Sequence, residues 1–155
     1  MSVKETVRQQ YIRTVDKATQ QVGGLKLPHE GWLTTMRKAL GISAPQLARR
    51  AGVTKAAIYQ AENKEREGGI TIRQMQKLAR SMGGHFVYAL VPDDGDVSAR
   101  LYGQARAKAE NIVRRASSHM ALEKQSLPDQ QVTQEIEQLA NRLVRDMPPD
   151  FWDEP

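Results

Sequence analysis

The 155-residue chain contains no cysteine, which excludes disulfides, thiolate nucleophiles and thiolate metal sites and permits a reducing cytoplasm. Aromatic residues make up only 5%, so a core must be built mainly from aliphatic side chains and will be small. No run approaches the roughly 18 apolar residues of a membrane span, and the opening MSVKETVRQQ lacks the apolar stretch of a signal peptide. A cytoplasmic protein with no membrane partner is expected. His29, His85 and His119 are far apart in the chain with no acid at ligand spacing. The pairs Gly23-Gly24, Gly68-Gly69 and Gly83-Gly84 lack the Lys-Ser or Lys-Thr of a phosphate-cradling loop, and no Gly-x-Ser-x-Gly elbow exists. The composition and motifs therefore predict no enzyme, no metal and no cofactor.

What is abundant is charge, and it is unevenly spread. The whole chain carries 23 basic and 18 acidic residues, a net of +5, with a pI near 9.6. Between Gly31 and Lys64 the single acid Glu62 opposes Arg37, Lys38, Arg49, Arg50, Lys55 and Lys64. From Gln125 onward only Arg142 and Arg145 oppose Asp129, Glu135, Glu137, Asp146, Asp150, Asp153 and Glu154. The first stretch is suited to a polyanion and the second is not.

Helical punctuation runs along most of the chain. Ser2 with Glu5 forms a capping-box start, and Val3, Val7, Tyr11, Val15, Ala18 and Val22 follow at three- and four-residue spacing, an amphipathic stripe. Leu33, Met36 and Leu40 mark a short helix closed by Gly41. Ser43 and Gln46 bracket the next start, with Pro45 in its first turn. Thr54 caps a helix from Lys55 to Glu62, a polar loop from Asn63 to Gly69 follows, and Thr71 caps another helix through Met82. His85 to Val91 is rich in aromatic and β-branched residues and reads as one strand. A single strand leaves its backbone groups unpaired, so Phe86, Val87, Tyr88, Ala89 and Leu90 are expected to pair with their own copies across a dimer. Beyond the linker from Asp93 to Asp96, Val97, Leu101, Ala105, Ile112, Ala116 and Met120 predict a long helix, and Val132, Ile136, Leu139, Leu143 and Met147 another. Their narrow stripes imply packing against each other, the first helix or a second subunit. Phe151 and Trp152 in the acidic tail would either fold back on the last helix or serve as a docking peptide.

The segment SAPQLARRAGVTKAAIYQAENK places a small residue at Ala48, a glycine at Gly52 and a β-branched residue at Ile58. Ala48 lets two crossing helices touch, Gly52 admits the left-handed turn, and Ile58 plugs the core from the second helix. A three-residue, glycine-led connection makes the two helices cross steeply, the arrangement in which the second helix enters the DNA major groove. Residues from about Leu33 to Gly83, including the Gln-Ala-Glu-Asn run from Gln60 to Asn63, resemble a phage-repressor-type (Xre-family) helix-turn-helix domain. The resemblance implies a structural ion pair between Arg37 and Glu62, and an outer recognition face of Lys55, Ala56, Ala57, Tyr59 and Gln60. On that face Gln60 is suited to adenine and Lys55 to guanine or phosphate, with Ala56, Ala57 and Tyr59 near thymine methyl groups. Gln46, Thr54, Asn63 and Lys64 are the candidate phosphate contacts. Ala44 stands where this family commonly has a phosphate-gripping glutamine, and Gln46 is the candidate substitute.

The order of elements also resembles the group called mobile mystery protein A, antitoxin-like regulators whose genes typically neighbour one for a Fic-domain partner. The Fic signature is itself missing, and Thr133-Gln-Glu-Ile-Glu137-Gln138 matches a Fic-inhibiting helix except at its last position. The resulting expectation is a mainly α chain in four parts. An N-terminal helix and linker occupy 1–30, the helix-turn-helix domain 31–84, a dimerisation strand 85–92, and a C-terminal helical extension with an acidic tail 93–155. The implied function is that of a dimeric repressor binding double-stranded DNA at an inverted repeat and regulating its own operon. The alternative is a protein that chiefly sequesters a Fic-domain toxin through its terminal helices.

Overall fold

The computed structural model describes residues 2–122 and 128–154; the side chains at 120–122, including Met120 of the predicted stripe, lie outside that description. Seven helices occupy the described residues: α1 Val3–Val22, α2 Trp32–Ala39, α3 Ala44–Ala51, α4 Lys55–Glu67, α5 Ile72–Ser81, α6 Val97–Leu122 and α7 Asp129–Asp146. They divide into two compact units, Gly24–Ala89 and Met1–Gly23 with Leu90–Pro155. No described helix is long and apolar enough to cross a membrane.

Local capping chemistry starts α3, α4 and α5 of the first of these units. Ser43 accepts from the Gln46 N–H while the Gln46 side chain accepts from the Ser43 N–H, a reciprocal box that satisfies two otherwise orphaned donors. Thr54 and Thr71 cap α4 and α5 by accepting from the N–H groups of Ala57 and Gln74. Between α3 and α4, Gly52 has φ +69° and ψ +34°, a left-handed conformation that a β-carbon would oppose. The turn brings Ala48 and Ile58, both buried, into one cluster with Leu33, Leu47, Ala61, Met75 and Leu78. Helix α4 runs five residues beyond the expected stop at Glu62, to Glu67, where Gly68 turns left-handed at φ +83°. Asn63 donates to Glu67 across that added turn at 3.1 Å.

The expected strand is absent, and the described residues are all helical apart from turns and irregular segments. Phe86, Val87, Tyr88, Ala89 and Leu90 form an irregular segment with no second strand beside it. The backbone of Phe86 is satisfied by a side chain instead of a ladder. Its N–H donates to Gln76 Oε1 at 3.0 Å, and its carbonyl accepts from Gln76 Nε2 at 2.8 Å. Phe86 then packs on the helical core and stacks on Tyr88 with ring centroids 5.6 Å apart, while Val87 and Leu90 are exposed. β-propensity reflects fit to a pleated neighbour, and among the described residues of the chain no other segment is extended as a strand to provide one.

In the other unit, α6 and α7 bury Leu101, Ala105, Ala109 and Val113 against Ile136 and Ala140. From α1 the buried residue is Ile12; Val3, Val7 and Tyr11 of the expected inward stripe are exposed. Asp16 of α1 accepts from the Val97 N–H at 3.0 Å, and Asp96 accepts from the Ala99 N–H at 2.8 Å, together capping α6. The tail folds back. Phe151 is 1% exposed in the α6–α7 core, and its carbonyl accepts from Gln104 of α6 at 2.9 Å. Lys108, also buried, donates to the Asp150 carbonyl and lies 3.5 Å from the Asp150 carboxylate. Truncating Phe151 to alanine removes a fully buried ring whose site cannot collapse around Lys108 and Gln104. A loss of about 3–5 kcal/mol is expected, read as a fall in the thermal or urea midpoint.

Candidate nucleic-acid interface

Helix α4 is tied to α2 by two carboxylates on the same α4 face. Arg37 of α2 donates through Nε to Glu62 Oε1 at 2.6 Å and through Nη2 to Glu62 Oε2 at 3.3 Å. The pair is nearly dry, with side-chain exposures of 12% and 4%. The hydrogen bond that Arg37 donates to Glu62 raises the Arg37 pKa above the ordinary arginine value, against the opposing effect of burial. Arg37 also donates to the Ile42 carbonyl at 3.3 Å, so the guanidinium spans α2, the α2–α3 turn and α4.

One turn further along α4, Glu65 caps the start of α2. Its two oxygens accept from the backbone N–H groups of Trp32 at 2.6 Å and Leu33 at 2.9 Å. Gly31, the residue before the helix, offers no side-chain cap and sits at φ +87°, ψ +162°, a region essentially restricted to glycine. A β-carbon there would lie 2.9 Å from the Glu65 carboxylate. Arg66 adds a weak contact at 3.5 Å to the hydroxyl of buried Thr34. Glu65 was missed in the sequence because it lay in a segment expected to be loop. The signal available was the lack of any Ser, Thr, Asp or Asn at position 31, which leaves an α2 start in need of a cap from elsewhere.

These contacts withdraw part of the negative charge: Glu62 is buried and Glu65 half-buried, while Glu30 and Glu67 stay exposed. The unit Gly24–Ala89 has eleven lysines and arginines against four glutamates, and each glutamate is engaged inside the unit. Glu62 and Glu65 hold α2, Glu67 accepts from Asn63, and Glu30 pairs with Lys38 at 2.7 Å; that hydrogen bond lowers the Glu30 pKa. Besides Arg37, Arg50 is committed: it donates to the Ser81 carbonyl at 2.8 Å, near the negative end of α5.

On α4, Lys55, Ala56, Tyr59, Gln60, Asn63 and Lys64 are exposed and Ala57 is half-buried. The Lys55 ammonium lies 5.8 Å from the Tyr59 ring centroid, within cation–π range. Thr54 is exposed at the α4 N-terminus, its hydroxyl occupied by the cap. Ala44 is 2% exposed and points into the core, so a phosphate anchor cannot come from that position. Gln46 is exposed; its oxygen is held by the Ser43 N–H at 2.7 Å, which presents its amide donors outward. Asn63 is partly diverted to Glu67. Phe86, Val87, Tyr88, Ala89 and Leu90 form no part of this surface. Among the described residues no three of His, Asp and Glu gather into a metal-holding group.

Glu65→Ala should lower stability by about 1–2 kcal/mol, the cost of an uncapped, partly buried helix start. Gly31→Ala should destabilise as well, and urea unfolding of the double variant should show less than the sum of the two losses, because both act on one clamp.

Residues 33–88, about a third of the chain, match the helix-turn-helix family model. No curated protein and no solved structure matches the chain. The matched span begins at the α2 residue capped by Glu65 and contains the α3–Gly52–α4 crossing. This segment is a helix-turn-helix domain of the kind found in DNA-binding transcription regulators.

Proposed function

We propose that the chain is a sequence-specific repressor that binds an inverted repeat as a dimer and regulates its own operon. The observation that carries this reading is the charge state of the Gly24–Ala89 unit: eleven basic residues face four glutamates, of which Glu62 and Glu65 are drawn into contacts with α2 and Glu30 is paired with Lys38, while Lys55, Gln60 and Lys64 stand exposed on α4. A surface so arranged attracts the phosphate backbone without sequence preference, and α4 supplies the side chains that could discriminate bases. Gln60 would read adenine, Lys55 guanine or phosphate, and Ala56, Ala57 and Tyr59 the thymine methyl groups. Gln46, Thr54, Asn63 and Lys64 would set the register through phosphates. A dimer would present two α4 helices to half-sites about one helical turn, or roughly 34 Å, apart or a multiple of it.

An antitoxin-like role beside a Fic-domain partner rests on the resemblance to mobile mystery protein A. Co-expression with a neighbouring Fic protein tests it, and absence of both a complex and growth rescue would remove it. For DNA recognition, selection from genomic fragments at moderate salt should enrich one palindromic site. Gln60→Ala should then relax base preference at one position per half-site by about 1–3 kcal/mol. Lys64→Ala should weaken all sequences alike and reduce the salt slope by about 1. Failure to enrich any sequence would overturn the proposal.

A further inference from the structure

Helix α1 has two apolar faces and uses only one of them within its unit. Ile12 is buried, with Val15 and Thr19 half-buried beside it, whereas Val3, Val7 and Tyr11 are 82%, 42% and 71% exposed. The two faces lie about a third of a turn apart at 3.6 residues per turn. Apolar residues recurring at helical spacing on a second face mark a surface that meets something else. Next to this face, the first half of α1 and the end of α7 enclose a groove of about 640 Å³. Val7, Tyr11 and Met147 supply its apolar lining, and Lys4, Arg8 and Arg145 its positive charge. The groove's acids are already engaged, Glu5 in the Ser2 capping box and Asp146 with Arg145 at 3.2 Å. Arg8 has its Nε buried with no hydrogen-bond partner.

The same unit carries a complementary feature. In the tail, Phe151 turns inward while Trp152 remains 51% exposed, braced edge-to-face by Phe151 with centroids 5.0 Å apart and by Arg100 at 5.0 Å from its ring. Exposed Asp153 and Glu154 follow it. We propose that the groove of one protomer receives the Trp152 tail of a second copy, with Asp153 and Glu154 facing Lys4 and Arg8, and that the exchange is reciprocal about a two-fold axis. Two complementary patches carried by one chain satisfy the requirement of an isologous interface, that each patch meet its complement on the other subunit. This inference rests on the dimer of the proposed function and replaces the missing strand as its interface.

Sedimentation of the full chain tests it. The wild-type chain should run at twice its 17.4 kDa mass, and high salt should weaken the dimer. Val7→Glu with Tyr11→Glu, and separately Lys4→Glu with Arg8→Glu, should run at the single-chain mass with unchanged circular dichroism. Adding Asp153→Lys and Glu154→Lys to the second pair should restore the dimer, a rescue that a misfolded variant could not show. A monomeric wild type, dimeric variants or a folded charge swap that stays monomeric would each overturn the proposal. Binding of a single half-site duplex by the monomeric variants reports separately on the DNA-binding reading. Its loss in both wild type and variants would sink that reading while leaving the interface to stand on sedimentation.

Discussion

The helix-turn-helix unit depends on how two glutamates of α4 hold α2. Glu62 closes a bidentate pair with Arg37, and Glu65, one turn later, caps the first N–H groups of α2. A buried ion pair contributes less to stability than to geometry, because the attraction is largely offset by desolvation. Two such contacts on one face of a helix oppose both rotation and sliding. The exposed side chains of α4 are therefore presented in one orientation, and the Gly52 turn alone could not enforce that. Gly31 follows from the same arrangement, since its backbone conformation and the nearby carboxylate leave no room for a side chain.

This bracing also shapes the electrostatics. A unit with eleven basic and four acidic residues could still present a mixed surface if its acids were free. Here structure and charge are coupled: the carboxylates that position helices are the ones withdrawn from solvent or neutralised by a partner. The sequence already showed a basic stretch around α4, and the packing adds that its opposing acids are occupied. Lysines and arginines left facing water then outweigh the exposed acids, the condition for a nonspecific attraction to DNA on which base readout can be built.

The other unit shows the opposite use of similar parts. Its aromatic tail is drawn inward by Phe151, whose carbonyl and neighbours are held by Gln104 and the buried Lys108. Of the two uses open to the tail, folding back is what Phe151 does, and the surface it rests on is α6 as well as α7. Trp152 is left outward as a consequence, because successive residues of such a turn cannot both enter one core. Similarly, α1 is attached through Ile12 and Asp16, leaving Val3, Val7 and Tyr11 in water.

Features governed by interactions within a few residues were legible in the sequence. The capping boxes at Ser2 and Ser43, the caps at Thr54 and Thr71, the left-handed Gly52 and the long α6 and α7 all rest on local hydrogen bonding and spacing. Features that depend on which distant groups arrive were not. The segment from Phe86 to Leu90 has strand-like residues, yet Gln76 from α5 takes the Phe86 backbone groups and no other described segment of the chain forms a strand to pair with the rest. The spacing of Val3, Val7 and Tyr11 announced an apolar stripe, but a helix's periodicity cannot say which of two faces will find a core. Helix α4 outran its expected end because Glu65 and Arg66 contact α2 more than thirty residues away. The sequence by itself determined where the locally capped helices begin, where the chain turns and where positive charge concentrates, since these depend on neighbours along the chain. Only the tertiary structure decided which carboxylates are withdrawn, which face of α1 is buried and whether a strand forms, since each requires a partner that the chain brings from far away.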